Sequence, residues 1–240
     1  MKIEGAVALV TGANRGIGAA IVEALLASGA SRVYAGGRTS KAQARDRVTP
    51  IPLDVTDEAQ VEAAAERCGD VQILVNNAGV LTGQPLLRAT NPRAAEQEMR
   101  VNYFGTLAMC RAFAPILARN GGGAIVNILS TTAQVNVPII GSYAASKAAA
   151  YSLTQGVRGE LGAQGTLVVG VIPGFVDTAM VAHVPVPNKL APSAVAESVA
   201  LALRCGTEDV YPGDAIEVAH GLQRDPKALE RRFASFSLPT

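Results

Sequence analysis

With 240 residues the chain has room for one large domain or at most two small ones, and at 49% hydrophobic it can fill a substantial core, so a single α/β domain is the default. A net charge of +1 gives no electrostatic case for binding DNA, RNA or an anionic membrane surface, which leaves small molecules or copies of itself as partners. No apolar run approaches the ~18 residues of a membrane span and the chain runs straight from Met1 toward a strand, so a soluble, cytoplasmic protein is expected.

Ala6 to Val10 is a short apolar run, followed by Thr11, Gly12, Ala13, Asn14, Arg15, Gly16, Ile17 and Gly18 and then a helix-like stretch to about Ser28. A helix N-terminus presents unpaired N–H groups and partial positive charge, and glycines let a pyrophosphate approach the backbone closely. The spacing of Gly12, Gly16 and Gly18 differs from G-x-G-x-x-G, and glycines alone would equally serve a tight turn. Arg32 to Gly36 reads as a second strand ending in Gly36, Gly37, Arg38, Thr39 and Ser40, where a dinucleotide fold places its ribose-recognition residue. No acidic residue stands there to repel a 2′-phosphate. Gly37 leaves room, Arg38 supplies a fork matched to phosphate and Arg15 can join it, so NADP is expected over NAD.

Thr49 to Leu53 makes a third strand ending in Asp54 and Val55; Asp54 either meets an adenine amine or is simply solvated. Asp57 is placed to cap an alanine-rich helix running to Cys68. Val71 to Val75 is a fourth strand that runs into Asn76, Asn77, Ala78 and Gly79, a sequence suited to fixing backbone near a ligand or to a plain turn. A long helical segment after Pro92 carries Glu96, Met99, Asn102 and Tyr103, with Asn102 reading as a cap or a kink. After the Gly121–Gly123 loop, Ala124 to Leu129 forms a fifth strand that delivers Ser130, Thr131 and Thr132 at its carboxyl end. Ligands sit at such strand ends in open α/β sheets. Cys68, Cys110 and Cys205 are odd in number, far apart and without histidines at metal-ligand spacing, which favours buried free thiols and no metal.

Tyr143, Ala144, Ala145, Ser146 and Lys147 open an alanine-rich helical segment in which positions four apart share a face. A free phenol titrates near ~10, too high to trade protons easily at neutral pH. A positive charge ~4 Å from a forming phenolate stabilises it by about 4 kcal/mol at an effective dielectric of ~20, roughly 3 pKa units before desolvation subtracts. A tyrosine and a lysine one turn apart also occur on ordinary surface helices.

Taken together, T-G-x-x-x-G-x-G at 11 to 18, N-N-A-G at 76 to 79, Asn102, the strand-end serine and Y-x-x-x-K at 143 to 147 resemble the short-chain dehydrogenase/reductase family in its short single-domain branch, over roughly residues 5 to 180. The resemblance implies a Rossmann-like, doubly wound parallel sheet of about seven strands with helices on both faces, in one domain covering residues 1–240. It implies Tyr143 as general acid and base, Lys147 as its pKa-lowering partner and ligand of the nicotinamide ribose, Ser130 as holder of the substrate oxygen, and Asn102 as keeper of a water leading from Lys147 to solvent. Around NADP(H) it places Gly12, Asn14, Arg15, Gly16, Ile17, Gly18, Arg38, Thr39, Asp54, Val55, Asn77, Ala78 and Gly79, then Tyr143 and Lys147. After a sixth strand, Leu167 to Ile172, come Pro173, Gly174, Val176 and Thr178, with the Val176 backbone at the carboxamide and Thr178 at the carboxamide or pyrophosphate.

The stretch at about 179–191 corresponds to the family's variable substrate loop, here with Pro185, Pro187, Met180 and His183. Pro192 to Arg204 should be helical and Val210 to Pro212 a short strand. Beyond Gly213 the chain departs from relatives that end in a subunit-locking strand and glycine-rich turn. It continues into a charged helix at about 225–236, capped by Asp225 and started by Pro226, with Leu229 and Phe233 as a docking face. A homodimer or homotetramer is expected, with the Tyr143 and Asn102 helices as candidate dimer faces. Pocket walls from Leu81, Thr82, Gln134, Val135, Val137, Met180 and His183 contain no arginine placed to clamp a carboxylate. The expected substrate is a neutral, fairly hydrophobic ketone or aldehyde. The alternative reading is a non-catalytic NADP(H)-binding sensor or scaffold on the same fold; an epimerase or dehydratase would need a larger C-terminal domain.

Overall fold

The computed structural model describes residues 1–39 and 44–236; Ser40, read from the sequence as part of the second strand's end, lies outside them. Seven short runs become strands: β1 (Val7–Thr11), β2 (Arg32–Gly37), β3 (Val48–Pro52), β4 (Ile73–Asn76), β5 (Ala124–Ile128), β6 (Leu167–Val171) and β7 (Asp209–Val210). Between and after them lie α1 (Gly16–Ala27), α2 (Glu58–Arg67), α3 (Ala94–Met99), α4 (Thr106–Arg119), α5 (Gly141–Leu161), α6 (Pro192–Cys205), α7 (Ile216–Arg224) and α8 (Pro226–Ala234). The strands pair in parallel in the order β3-β2-β1-β4-β5-β6-β7. The order reverses between β1 and β4, which opens a crevice at the carboxyl ends of the strands.

Side chains of a strand alternate between the sheet's two faces, and both faces here are apolar. Ala8 and Val10, Ile73 and Val75, and Val169 and Val171 join a core with α1 and α6. Leu9, Leu74 and Val168, their neighbours in sequence, join a second core with Ile125 of β5, Val61 of α2 and Met109, Phe113 and Leu117 of α4. Burying a side chain of this size stabilises the fold by about 1.5–3 kcal/mol relative to exposure. The result is one doubly wound domain.

Local signals fix several boundaries. Asp57 caps α2 by accepting from the Gln60 N–H at 3.2 Å, and Asp225 caps α8 by accepting from Ala228 N–H at 2.9 Å ahead of Pro226. The helical segment around Asn102 is continuous but widens into a π turn over Arg100–Gly105, between α3 and α4. Two expectations need correction. Cys68 and Cys110 are buried, with burial pushing both thiols up to about 12, but Cys205 is exposed at the end of α6. Helix α7 has no counterpart in the sequence reading, because Ile216, Val218 and Gly221 are indifferent or poor helix formers. Packing supplies what propensity lacks: a Cβ on Gly221 would come within 3.1 Å of Leu229, so the glycine lets α8 lie close against α7.

Candidate active site

A cleft of about 1850 Å³ runs along the carboxyl ends of the strands, from the Gly12 turn to Phe236. One end is built from the β1–α1 turn. Gly12 has φ +63° and Gly16 φ +56°, and α1 starts from Arg15 without a side-chain cap or an acidic residue in its first turn. Its first N–H groups are therefore free for an anion. Asn14 donates from Nδ2 to the Thr39 carbonyl at 2.8 Å, tying this turn to the end of β2, where Arg38 and Thr39 line the same wall. Gly37 makes room for that bond, since a Cβ would lie 2.5 Å from the Asn14 amide and push the side chain away.

Gly18 behaves differently from its neighbours. It does not line the cleft; a Cβ on it would meet the Gly12 carbonyl at 2.4 Å and Asn77 Nδ2 at 2.5 Å, so its role is to let α1 press against the turn. Asn77 completes that joint by donating to the Thr11 and Gly12 carbonyls at 2.9 and 3.1 Å, while Thr11 Oγ1 accepts from the N–H groups of Asn77 and Ala78, each at 3.0 Å. Asp54 and Val55 line the middle of the cleft. Burial works to raise the Asp54 carboxyl, but hydrogen bonds from Thr56 N–H and Oγ1 outweigh it, helped by the charges of Arg38 and Arg100, and hold it low.

At the other end Ser130, Tyr143 and Lys147 converge. Ser130 Oγ accepts from Thr132 N–H at 3.2 Å and Thr132 Oγ1 at 2.9 Å. A hydroxyl has one donor and two acceptor sites, so both acceptor sites are used and its proton is left to point elsewhere. Lys147, buried on α5, donates one of its three protons to the Ile128 carbonyl at 2.8 Å. In this environment burial, not Lys147, is the largest influence on Tyr143. Burial pushes the phenol up to about 12, the nearby Ser130 hydroxyl pulls it down, and the charge of Glu98 pushes it up again. Burial likewise drives Lys147 down to about 8.

Asn102 lies behind the wall rather than on it. It is 2% exposed, brackets Val80 by accepting from its N–H and donating to its carbonyl, both at 2.9 Å, and donates to Ser146 Oγ at 2.9 Å. Its Oδ1 and the Lys147 ammonium both close on Gly79, at 3.2 and 3.6 Å from where a Cβ would stand. The π turn makes this reach possible by turning a helical residue inward at Asn102. One turn earlier, Glu98 is fully buried and accepts from Thr82 N–H and Oγ1, both at 2.7 Å. Together the two side chains pin the Val80–Thr82 wall.

Pro173, Gly174, Val176 and Thr178 all reach the cleft, with Thr178 packed 3.2 Å from the Cβ position of Gly16. The 179–191 loop is closed at its base by Asp177 N–H to the Leu190 carbonyl and Leu190 N–H to the Phe175 carbonyl, each 2.9 Å. Leu81, Thr82, Val137, Met180 and His183 line the cleft as expected, but Gln134 and Val135 do not: Gln134 turns to Tyr211, donating to its hydroxyl at 2.7 Å. The walls expected from the sequence do not complete the lining. Arg232 lines the cleft together with Asp177, Asp214, Glu217, Phe233 and Phe236. Glu98, Ser146 and the Ile128 carbonyl are further residues the sequence reading missed, since nothing but three-dimensional proximity marks them. Among the described residues no group of three or more His, Cys, Asp or Glu could hold a metal, and no helix is long and apolar enough to cross a membrane.

A family model described as short chain dehydrogenase matches residues 6–188. The chain belongs to the short-chain dehydrogenase/reductase family and is an oxidoreductase of that family. A short chain dehydrogenase from Burkholderia cenocepacia, solved in complex with NADP, is 48% identical and superposes with a TM-score of 0.94 over 98% of this chain and 100% of its own. A sorbitol dehydrogenase of Cereibacter sphaeroides is 35% identical over 74% of this chain and 73% of its own length. A 3-ketoacyl-(acyl-carrier-protein) reductase from Brucella melitensis, complexed with NADH, is 28% identical with a TM-score of 0.80, over 89% of this chain and 99% of its own.

Proposed function

We propose that this protein is an NADPH-dependent carbonyl reductase, working reversibly as an alcohol dehydrogenase on neutral, fairly hydrophobic ketones or aldehydes. The observation that carries the reading is the convergence of Ser130, Tyr143 and Lys147 on one cleft whose far end is an uncapped helix N-terminus flanked by Arg15 and Arg38. What supports a dinucleotide phosphate here is the glycine turn at an uncapped helix N-terminus, with Arg15 and Arg38 lining the same cleft as the two guanidiniums that would hold a 2′-phosphate. A bound dihydronicotinamide supplies the hydride.

The chain's own groups manage the proton and the charge. The high pKa of Tyr143 keeps its hydroxyl protonated at neutral pH, ready to protonate the carbonyl oxygen. Ser130, with both acceptor sites engaged by Thr132, aims its proton at the same oxygen as negative charge develops there. Once the phenol has given up its proton, the Lys147 ammonium stabilises the phenolate; two of its protons are not taken by Ile128 and can reach the phenolate and a ribose. Asn102 holds the Gly79–Val80 wall beside that ammonium.

Support for an acting enzyme over a sensor is that Ser130, Tyr143, Lys147 and Asn102 are all present in one connected arrangement. We assign the protein a homodimeric or homotetrameric state, with the helices carrying Asn102 and Tyr143 as the candidate dimer faces. The deciding experiment is Tyr143→Phe, assayed by NADPH oxidation with a panel of neutral carbonyl compounds and by NADPH binding. Turnover should disappear while binding persists; turnover at the native rate would end the assignment.

A further inference from the structure

The chain has no tryptophan and five phenylalanines, and three of the five, Phe175, Phe233 and Phe236, stand on the one cleft that holds Tyr143 and Ser130. Their distribution is not explained by the core. Phe113 is the only phenylalanine among the largest fully buried side chains, whereas Phe236 is 41% exposed at the cleft and Phe233 is half-buried. Water-facing phenylalanine surface inside a concave site is unfavourable unless something apolar covers it.

The two C-terminal helices put these rings there. Leu229 on α8 packs against Gly221 on α7, with its Cδ atoms 3.1 and 3.2 Å from where a Cβ would stand, so the helices form a closed pair. The turn before α7 is seated on the body through Gly213, 3.1 Å by the same measure from Leu190 at the base of the 179–191 loop. From that seat Phe233, one helical turn after Leu229, faces the cleft. Phe236 stacks on Phe175 with ring centroids 5.9 Å apart and planes at 26°. Phe175 directly follows Gly174 in the Pro173–Thr178 segment, so the stack joins the chain's C-terminal part to the segment flanking the reaction centre.

We propose that Phe233 and Phe236, backed by Phe175, are specificity-determining residues that select carbonyl compounds bearing a planar apolar ring over compact aliphatic ones. The proposal rests on the carbonyl-reductase reading and names its substrate class. The rings offer flat faces to a flat partner, Met180, Val184 and Val218 line the same cleft, and stacking favours a ring where an alkyl group gains only area. The helix pair thus completes the substrate chamber from within the chain.

The test compares kcat/KM, with NADPH saturating, for acetophenone against butanone and for benzaldehyde against butanal, in the native protein and in Phe236→Ala and Phe233→Ala. The native protein should favour the ring-bearing member of each pair. Each variant should lower that preference by roughly tenfold, mainly through KM, on the scale of one aromatic contact and its lost area. Thermal midpoints of the variants check that the fold stands; if one variant fails to fold, the other and Phe236→Leu carry the comparison. A native protein without ring preference, a preference unmoved in folded variants, or no turnover of either aryl compound overturns the proposal. Failure of the broader reading is a separate result, seen as turnover surviving Tyr143→Phe.

Discussion

Lys147 stands one turn after Tyr143 on α5, yet its ammonium bonds to the Ile128 carbonyl at 2.8 Å and lies 5.9 Å from the centre of the phenol ring. Burial acts on both groups against charge, raising the phenol to about 12 and lowering the ammonium to about 8. For the lysine the sign follows directly: its folded value lies below the ordinary 10.5, so the unfolded chain binds more protons between the two values and stability rises with pH across that window. Lys147→Met removes this dependence. The native protein should gain about 2 kcal/mol relative to the variant between about pH 7.5 and about pH 9.5, measured by urea unfolding. A difference that stays flat would mean the ammonium is not held at a cost.

A second prediction concerns the glycine that does not touch the cleft. Gly18→Ala places a methyl 2.4 Å from the Gly12 carbonyl and 2.5 Å from Asn77, neither of which is a free chain end. Overpacking of this kind costs about 1–3 kcal/mol. Because Asn77 also holds Thr11 and Gly12, the displaced joint should weaken NADPH binding as well as lower the melting temperature. Loss of stability with unchanged NADPH affinity would separate Gly18 from the phosphate turn altogether.

Why so much of this was legible from the sequence can be argued from such positions. Strands buried on both faces leave near-continuous apolar runs, and caps such as Asp57 and Asp225 announce themselves by chemistry that acts within three residues. The glycine turn, Asn77, Ser130 and Y-x-x-x-K are short-range signals too. What escaped detection depends on packing between distant segments: Gly221 admitting Leu229, Glu98 meeting Thr82, Arg232 and Phe236 returning to a cleft that begins at Gly12. The burial that raises Tyr143 escaped for a related reason, since it is a property of the fold and leaves no mark on a spacing of four residues.

Glu98 gives a third prediction. Its carboxylate is fully buried, with Oε1 accepting both Thr82 bonds at 2.7 Å and Oε2 without a partner among the described residues. Glu98→Ala takes the acceptor from the half-buried Thr82 N–H and hydroxyl, at about 1–3 kcal/mol in all. Glu98→Gln keeps an oxygen for Thr82 and should cost less than half as much in chemical unfolding. It also removes the charge that pushes Tyr143 up, so the phenol should titrate at lower pH in Glu98→Gln than in the native protein, followed by the ring carbon shift of isotopically labelled tyrosine. An unmoved titration would show that Glu98 serves the wall alone.

The proposed reading assigns the choice between NADPH and NADH to Arg38, with Arg15 lining the same cleft, since Arg38, Thr39 and Gly37 form the cleft wall at the end of β2 and no carboxylate stands among them. A guanidinium paired with phosphate contributes on the order of 1.5–3 kcal/mol, or roughly 10- to 150-fold in affinity. Arg38→Asp removes that contact and adds a group that repels phosphate but accepts from ribose hydroxyls. NADPH binding should fall by at least that factor while NADH binding holds or improves, and the NADPH affinity of the native protein should weaken with added salt more steeply than that of the variant. Equal weakening toward both nucleotides would place the 2′-phosphate away from Arg38, and the burden of recognition would then pass to Arg15.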